Sequence, residues 1–248
     1  MFSKEKRCIY DVNCLADVIC QLRFPEILTI ETTLPAQFQE AIREEFPVYN
    51  VRRENTAPGK PDNRQINNYQ FTSADGVWRV NLTSKFISLA CTRYTCWEDF
   101  AGKLDKPLAA FIQLYKPAYF ERVGLRYLNF ISRETLGLIG IPFKDLITPC
   151  YLGILADEEI IEENTARVSL DTELAIRGGC RARIHAGPGK VSRNGKMDAE
   201  VKFIFDQDLF MPGKVAVNLS AGALQTLHSQ AWSIFRGAIT DKLHEAME

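Results

Sequence analysis

A leucine–arginine–aromatic phrase closes an apolar stretch twice in this chain, as Leu22-Arg23-Phe24 and as Leu125-Arg126-Tyr127. Side chains alternate between faces along an extended strand, so each phrase sets an arginine opposite its strand's main apolar side. Each phrase also opens a half-chain that ends in a long amphipathic helix. The pattern predicts two tandem, pseudo-repeated halves of one intimate unit, residues 1–117 and 118–248, each ordered strand, helix, antiparallel sheet, long helix. A long helix laid across an antiparallel sheet buries both apolar faces at once. The expected class is α+β.

The period of the apolar residues places the elements. In the first half, Asp17 to Phe24 reads as a strand and Leu34-Pro35 as the start of a helix that Pro47 ends. Residues 48–64 are polar and carry Pro58, Gly59 and Pro61, which predicts an exposed loop. Strands follow over 68–73, 77–83 and 85–94, with a tight turn at Asp75-Gly76. Thr95, with Glu98 three residues on, has the form of a capping box. The helix it opens carries the stripe Phe100, Leu104, Leu108, Phe111 and Tyr115, with a kink or break expected at Pro107.

In the second half a long strand is expected over 119–132, a short helix over 141–146 and a strand over 150–156. Val168, Leu170, Thr172, Leu174 and Ile176 share one face of a further strand. Strands over 180–186 and 199–206 flank a loop or hairpin tip, residues 207–220 read as a linker, and one final helix runs through Leu243.

Composition narrows the function classes. Hydrophobic residues make up 46% and charged residues 25%, with a net charge of −1, so attraction to nucleic acid or anionic membrane needs a local patch. No apolar run approaches the roughly 18–20 residues of a membrane helix, and no secretory leader is read at the N-terminus. The seven cysteines form no Cys-x-x-Cys pair, which points to reduced thiols in a cytoplasmic protein. No cofactor and no metal site is expected.

The three histidines, His185, His228 and His244, show no metal-binding spacing. His228 borders the apolar stripe of the last helix and reads as a core or capping histidine, kept as a candidate contact. Gly187-Pro188-Gly189-Lys190 lacks the first glycine and the Ser/Thr of a phosphate loop, since Ile184 and Val191 stand there. No catalytic set emerges. Arg181, Arg183, Arg193 and Lys196 gather on neighbouring strands and their tip, with Arg181 and Arg183 on one face. They form a candidate anion site. Arg23 and Arg126 form a second candidate pair, whose guanidinium forks suit a carboxylate or phosphate.

Several stretches together, among them Leu15 to Phe24, Trp78 to Thr83, Tyr94 to Phe100, Phe120 to Asn129 and the ending Ile239 to Leu243, resemble a sporadically distributed family of bacterial proteins of about 250 residues. The resemblance covers nearly the whole chain. It implies a bacterial cytoplasmic protein of the accessory kind found in defence or toxin–antitoxin operons. That family has no established activity, so no functional residue is carried over. The doubled layout resembles the saddle of TATA-binding-protein-like folds and, more loosely, helix-grip folds. The leading functional expectation is a non-enzymatic module that binds a protein partner. The competing expectations are a nucleic-acid or phosphate binder using Arg181, Arg183, Arg193 and Lys196, and a small-molecule binder or enzyme in the cleft between halves.

Overall fold

Alternating apolar residues make nine strands among the described residues, which in this computed structural model are 2–55, 64–193 and 195–248. The strands are β1 (Leu15–Arg23), β2 (Val48–Asn55), β3 (Gln65–Thr72), β4 (Trp78–Leu82), β5 (Phe86–Cys91), β6 (Phe120–Ile131), β7 (Leu170–Ile176), β8 (Cys180–Arg193) and β9 (Lys196–Val215). They follow the order β2-β3-β4-β5-β1-β6-β9-β8-β7 in an antiparallel sheet. Five helices complete a mixed α+β chain: α1 (Thr29–Thr32), α2 (Ala36–Ile42), α3 (Trp97–Tyr115), α4 (Ser220–Ala238) and α5 (Asp241–Met247). None is long and apolar enough to cross a membrane. Two compact units divide the chain, one of residues 1–16, 126–209 and 225–248, the other of residues 17–125 and 210–224.

In the unit containing 17–125, register explains the core. Tyr49, Phe71, Val80, Leu89 and Cys20 are directly opposite one another across β2, β3, β4, β5 and β1. All but Tyr49 are fully buried. Helix α3 covers this face with Trp97, Phe100, Leu104 and Phe111. Phe24 meets Phe111 at 4.6 Å between ring centres, and Trp78 meets Phe100 at 5.8 Å. The opposite face carries a polar row, in which Gln70 Nε2 donates to Asn81 Oδ1 and Asn81 Nδ2 donates to Ser88 Oγ, both at 3.1 Å.

Several local expectations change here. Residues 48–55, read as loop, form strand β2, because Val48, Tyr49 and Val51 are strand formers and pair along β3. The rest of the expected loop, 56–63, lies outside the described residues. Pro107 does not end α3; its ring is buried and the helix continues to Tyr115. The N-cap is Cys96 without a side-chain cap bond, and Thr95 Oγ1 donates to Asp99 Oδ2 at 2.6 Å in place of the expected box.

In the other unit, Phe203 and Phe205 of β9 and Ala182 and Ile184 of β8 are buried. Phe205 packs on Phe235 of α4 at 6.1 Å and on Tyr151 at 5.2 Å. Leu170, Thr172, Leu174 and Ile176 of β7 are half-buried and alternate with exposed residues, as their spacing predicts. The strand expected over 150–156 is instead two short 3₁₀ turns, favoured by Pro149 at the first position and by Gly153 at φ 59°. The expected linker after Asp206 is the continuation of β9, whose Gln207 and Leu209 are buried. The final helix is interrupted at Ile239, and Thr240 starts α5 by accepting from the Leu243 N–H.

Candidate functional site

The outer side of β6–β9 carries charge in columns. β7 offers Asp171 and Glu173, β8 offers Arg181, Arg183 and His185, β9 offers Asp206 and Asp208, and β6 offers Arg126. Register makes the pairs: Glu173 is directly opposite Arg183, and Asp171 directly opposite His185. Glu173 accepts from Arg183 Nε at 2.7 Å and from Arg181 at 2.9 Å. Those two guanidiniums hold the Glu173 carboxyl below its usual range, the Arg183 bond foremost. His185 Nδ1 is 2.8 Å from Asp171. Asp206 takes both Arg126 Nε and a terminal nitrogen, at 2.7 and 2.5 Å, as a bidentate pair. Between these side chains lies an open depression of about 470 Å³, lined by Arg126, Glu173, Arg183, His185 and Asp208 among others.

The structure thus brings Arg126, Arg181 and Arg183 of the expected set onto one face and gives each a carboxylate. Lys196 starts β9 and is exposed. The Arg193 side chain lies outside the description. Arg23 belongs to the other unit, where its Nε donates to Gln21 Oε1 at 2.9 Å. His228 is buried on α4, with Nδ1 2.8 Å from the Tyr127 hydroxyl, in the core position its spacing suggests.

A second surface escaped the sequence reading. β2 stands at one end of the strand order and, among the described strands, pairs only with β3. Alternate residues of an antiparallel strand turn their N–H and C=O toward the partner or away from it. The Val51 N–H is bonded by the Asn50 side chain, Oδ1 at 2.9 Å, so Val51 belongs to the outward set, with Tyr49 and Arg53. Val48, Tyr49 and Val51 are exposed at 53%, 41% and 39%. Arg52 and Arg53 are exposed and form no ion pair with another described residue. The signal for this strand was the β-branched and aromatic residues directly after Pro47, outweighed by the polar stretch that follows.

The chain matches no family model and no curated protein.

Proposed function

We propose that this chain is a non-enzymatic protein-binding module that takes an extended, acidic segment of a partner protein along the free edge of β2. The observation that carries the reading is the outward Val51 N–H, held among the described residues by its neighbour's side chain. Backbone groups of this kind pair with an added strand, and side chains on either face supply selectivity. Tyr49 and Val51 offer apolar contact on one face. Arg52 and Arg53, on opposite faces and without a carboxylate among the described residues, favour acidic side chains in the incoming segment. Arg126, Arg181 and Arg183 support a nucleic-acid reading less well, since each already holds a carboxylate.

The same reading includes a bacterial, cytoplasmic setting of the defence or toxin–antitoxin kind, supported by the resemblance described above. It also includes a doubled, TATA-binding-protein-like or helix-grip-like relation between residues 1–117 and 118–248. In support, Arg23 and Arg126 are each exposed between two buried neighbours.

Panning a random peptide display library on the full chain tests the binding claim. Acidic peptides of extended character are expected, and a selected peptide should slow hydrogen exchange at Tyr49, Val51 and Arg53. Val51→Pro removes one edge donor and should weaken that peptide about tenfold, the worth of one interfacial hydrogen bond. Arg52→Glu with Arg53→Glu should abolish binding, and Arg181→Ala should leave it unchanged. Peptide binding that survives both β2 variants overturns the proposal. So does an empty selection beside salt-sensitive retention of an oligonucleotide.

A further inference from the structure

The described residues before β1 form no helix or strand, yet they are held along α4 and α5. The Ser3 N–H donates to the Ser233 carbonyl at 2.8 Å, Trp232 Nε1 donates to the Glu5 carbonyl at 3.0 Å, and the Val12 N–H donates to the Met247 carbonyl at 3.0 Å. Arg236 fastens the same segment through Glu5 at 2.7 Å. The Tyr10 ring lies against Trp232, Phe235 and His244, with centroids 5.8, 6.4 and 5.4 Å away. This scaffolding brings a cysteine from one end of the chain to a histidine and a glutamate from the other.

We propose that Cys8, His244 and Glu248 bind a divalent transition ion of the zinc class. Their ligand atoms all lie within 4.8 Å of one another. His244 and Glu248 are one helical turn apart, with Nε2 and Oε1 separated by 3.5 Å. Tetrahedral zinc with its usual bond lengths places neighbouring nitrogen and oxygen ligands about 3.3–3.5 Å apart and a sulfur about 3.5–3.7 Å from either. The histidine is already oriented. Its Nδ1 meets the Tyr10 hydroxyl at 2.9 Å, which leaves Nε2 facing Glu248. Tyr10 therefore acts as a positioning residue for the His244 ligand, as outer-shell partners do in protein zinc sites.

The donor set selects the metal. A thiolate and an imidazole suit zinc, cobalt or copper and not magnesium or calcium. Thiolate and carboxylate together balance the charge of the ion, and water completes the tetrahedron. Cys8 and His244 are half-buried and Glu248 is exposed, so the ion has a path in from solvent. Binding releases the Cys8 thiol proton to solvent and ties the first residues of the chain to α5.

Titration of the chelator-treated full chain with cobalt and then zinc tests the assignment. One cobalt per chain is expected, with a thiolate-to-cobalt charge-transfer band that zinc abolishes. Cys8→Ser and His244→Ala should each remove the band and weaken zinc at least about 100-fold, and Tyr10→Phe should weaken it by roughly 10–100-fold. Cys150→Ser, at an exposed cysteine outside the cluster, should change nothing. Circular dichroism of the metal-free variants checks that each is folded. No band in the parent chain, a band that persists in Cys8→Ser, or a band lost in Cys150→Ser overturns the site. Glu248→Gln, a surface change that leaves folding intact, should cost at least about tenfold, and parent-like affinity there also overturns it.

Discussion

Asn81 is the central member of the polar row in the unit of β1–β5, and its removal should cost far more than a surface asparagine. It is 9% exposed, and its two hydrogen-bonding neighbours, Gln70 and Ser88, are 8% and 4% exposed. Asn81→Ala deletes both 3.1 Å bonds at once, the one accepted from Gln70 Nε2 and the one donated to Ser88 Oγ. A buried polar group left without its partner costs about 1–3 kcal/mol. The Ser88 hydroxyl can rotate toward another acceptor, so its share falls at the low end. The Gln70 amide has no such freedom beyond its χ angles. The expected loss is about 2–4 kcal/mol, read as a lower urea midpoint at unchanged slope. Gln70→Ala combined with Asn81→Ala should cost less than the sum of the two singles, because the second deletion removes a group already orphaned. A coupling of roughly 0.5–3 kcal/mol is expected from that cycle. A single-variant cost under about 0.5 kcal/mol, or strict additivity, would show that the row is solvated and that its hydrogen bonds carry no stability.

Tyr127→Phe leaves the buried His228 Nδ1 without the phenol at 2.8 Å, and should lower stability by about 1–3 kcal/mol in the same urea assay. Gly187→Ala places a Cβ 2.6 Å from the Val168 carbonyl oxygen, a backbone atom, and should cost about 1–3 kcal/mol. Gly189→Ala meets only the tip of Ile204 and should cost clearly less, so a reversed order would refute the close approach of β8 to Val168. Acid should destabilise the chain. Glu45 is held below its ordinary value by Lys103, Asp75 by Ser73, Glu173 by Arg183 and Asp198 by Lys202. A depressed native value means the unfolded chain binds more protons, so this stabilisation is present above the usual carboxylate pKa of about 4 and is lost as pH falls through the native values. A melting temperature that stays level or rises on acidification below that point contradicts the assignment.

Strands that bury one face were legible, since period-two alternation survives in Leu170 to Ile176 and in Trp78, Val80 and Leu82. The stripe of α3 was legible for the same reason, at its own period. What sequence could not supply was pairing. Val48 to Asn55 reads as loop until β3 lies beside it, because one long-range ladder outweighs local polarity. The extension of β9 through Val215 was hidden by Pro212 and Gly213, which usually mark loops. Among the site residues, parity alone put Arg181 and Arg183 on one face. Their shared carboxylate depended on the β7–β8 register, which no local pattern encodes. Cys8 and His244 show the extreme case: they lie near opposite ends of the chain, and no spacing rule links them.

The arginines of this chain separate by how far their charge is already spent. On the outer side of β6–β9, Arg126, Arg181 and Arg183 face Asp171, Glu173, Asp206 and Asp208, so the carboxylates outnumber them. Exposed pairs are each worth only about 0–1 kcal/mol, so a tight ligand could displace them. The long-range field is another matter, because it follows the sum of the charges, and here the sum is not positive. The proposal therefore expects no steering of polyanions to the depression that these side chains line. At β2, Glu54 accepts from the Asn68 amide at 2.5 Å, and Arg52 and Arg53 hold no described carboxylate. The docking proposed above predicts that steering of an acidic segment acts there. Raising salt should accordingly slow association at β2, while Glu173→Gln leaves that rate unchanged; a rate governed by Glu173 would place the docking surface on β7 and β8 instead.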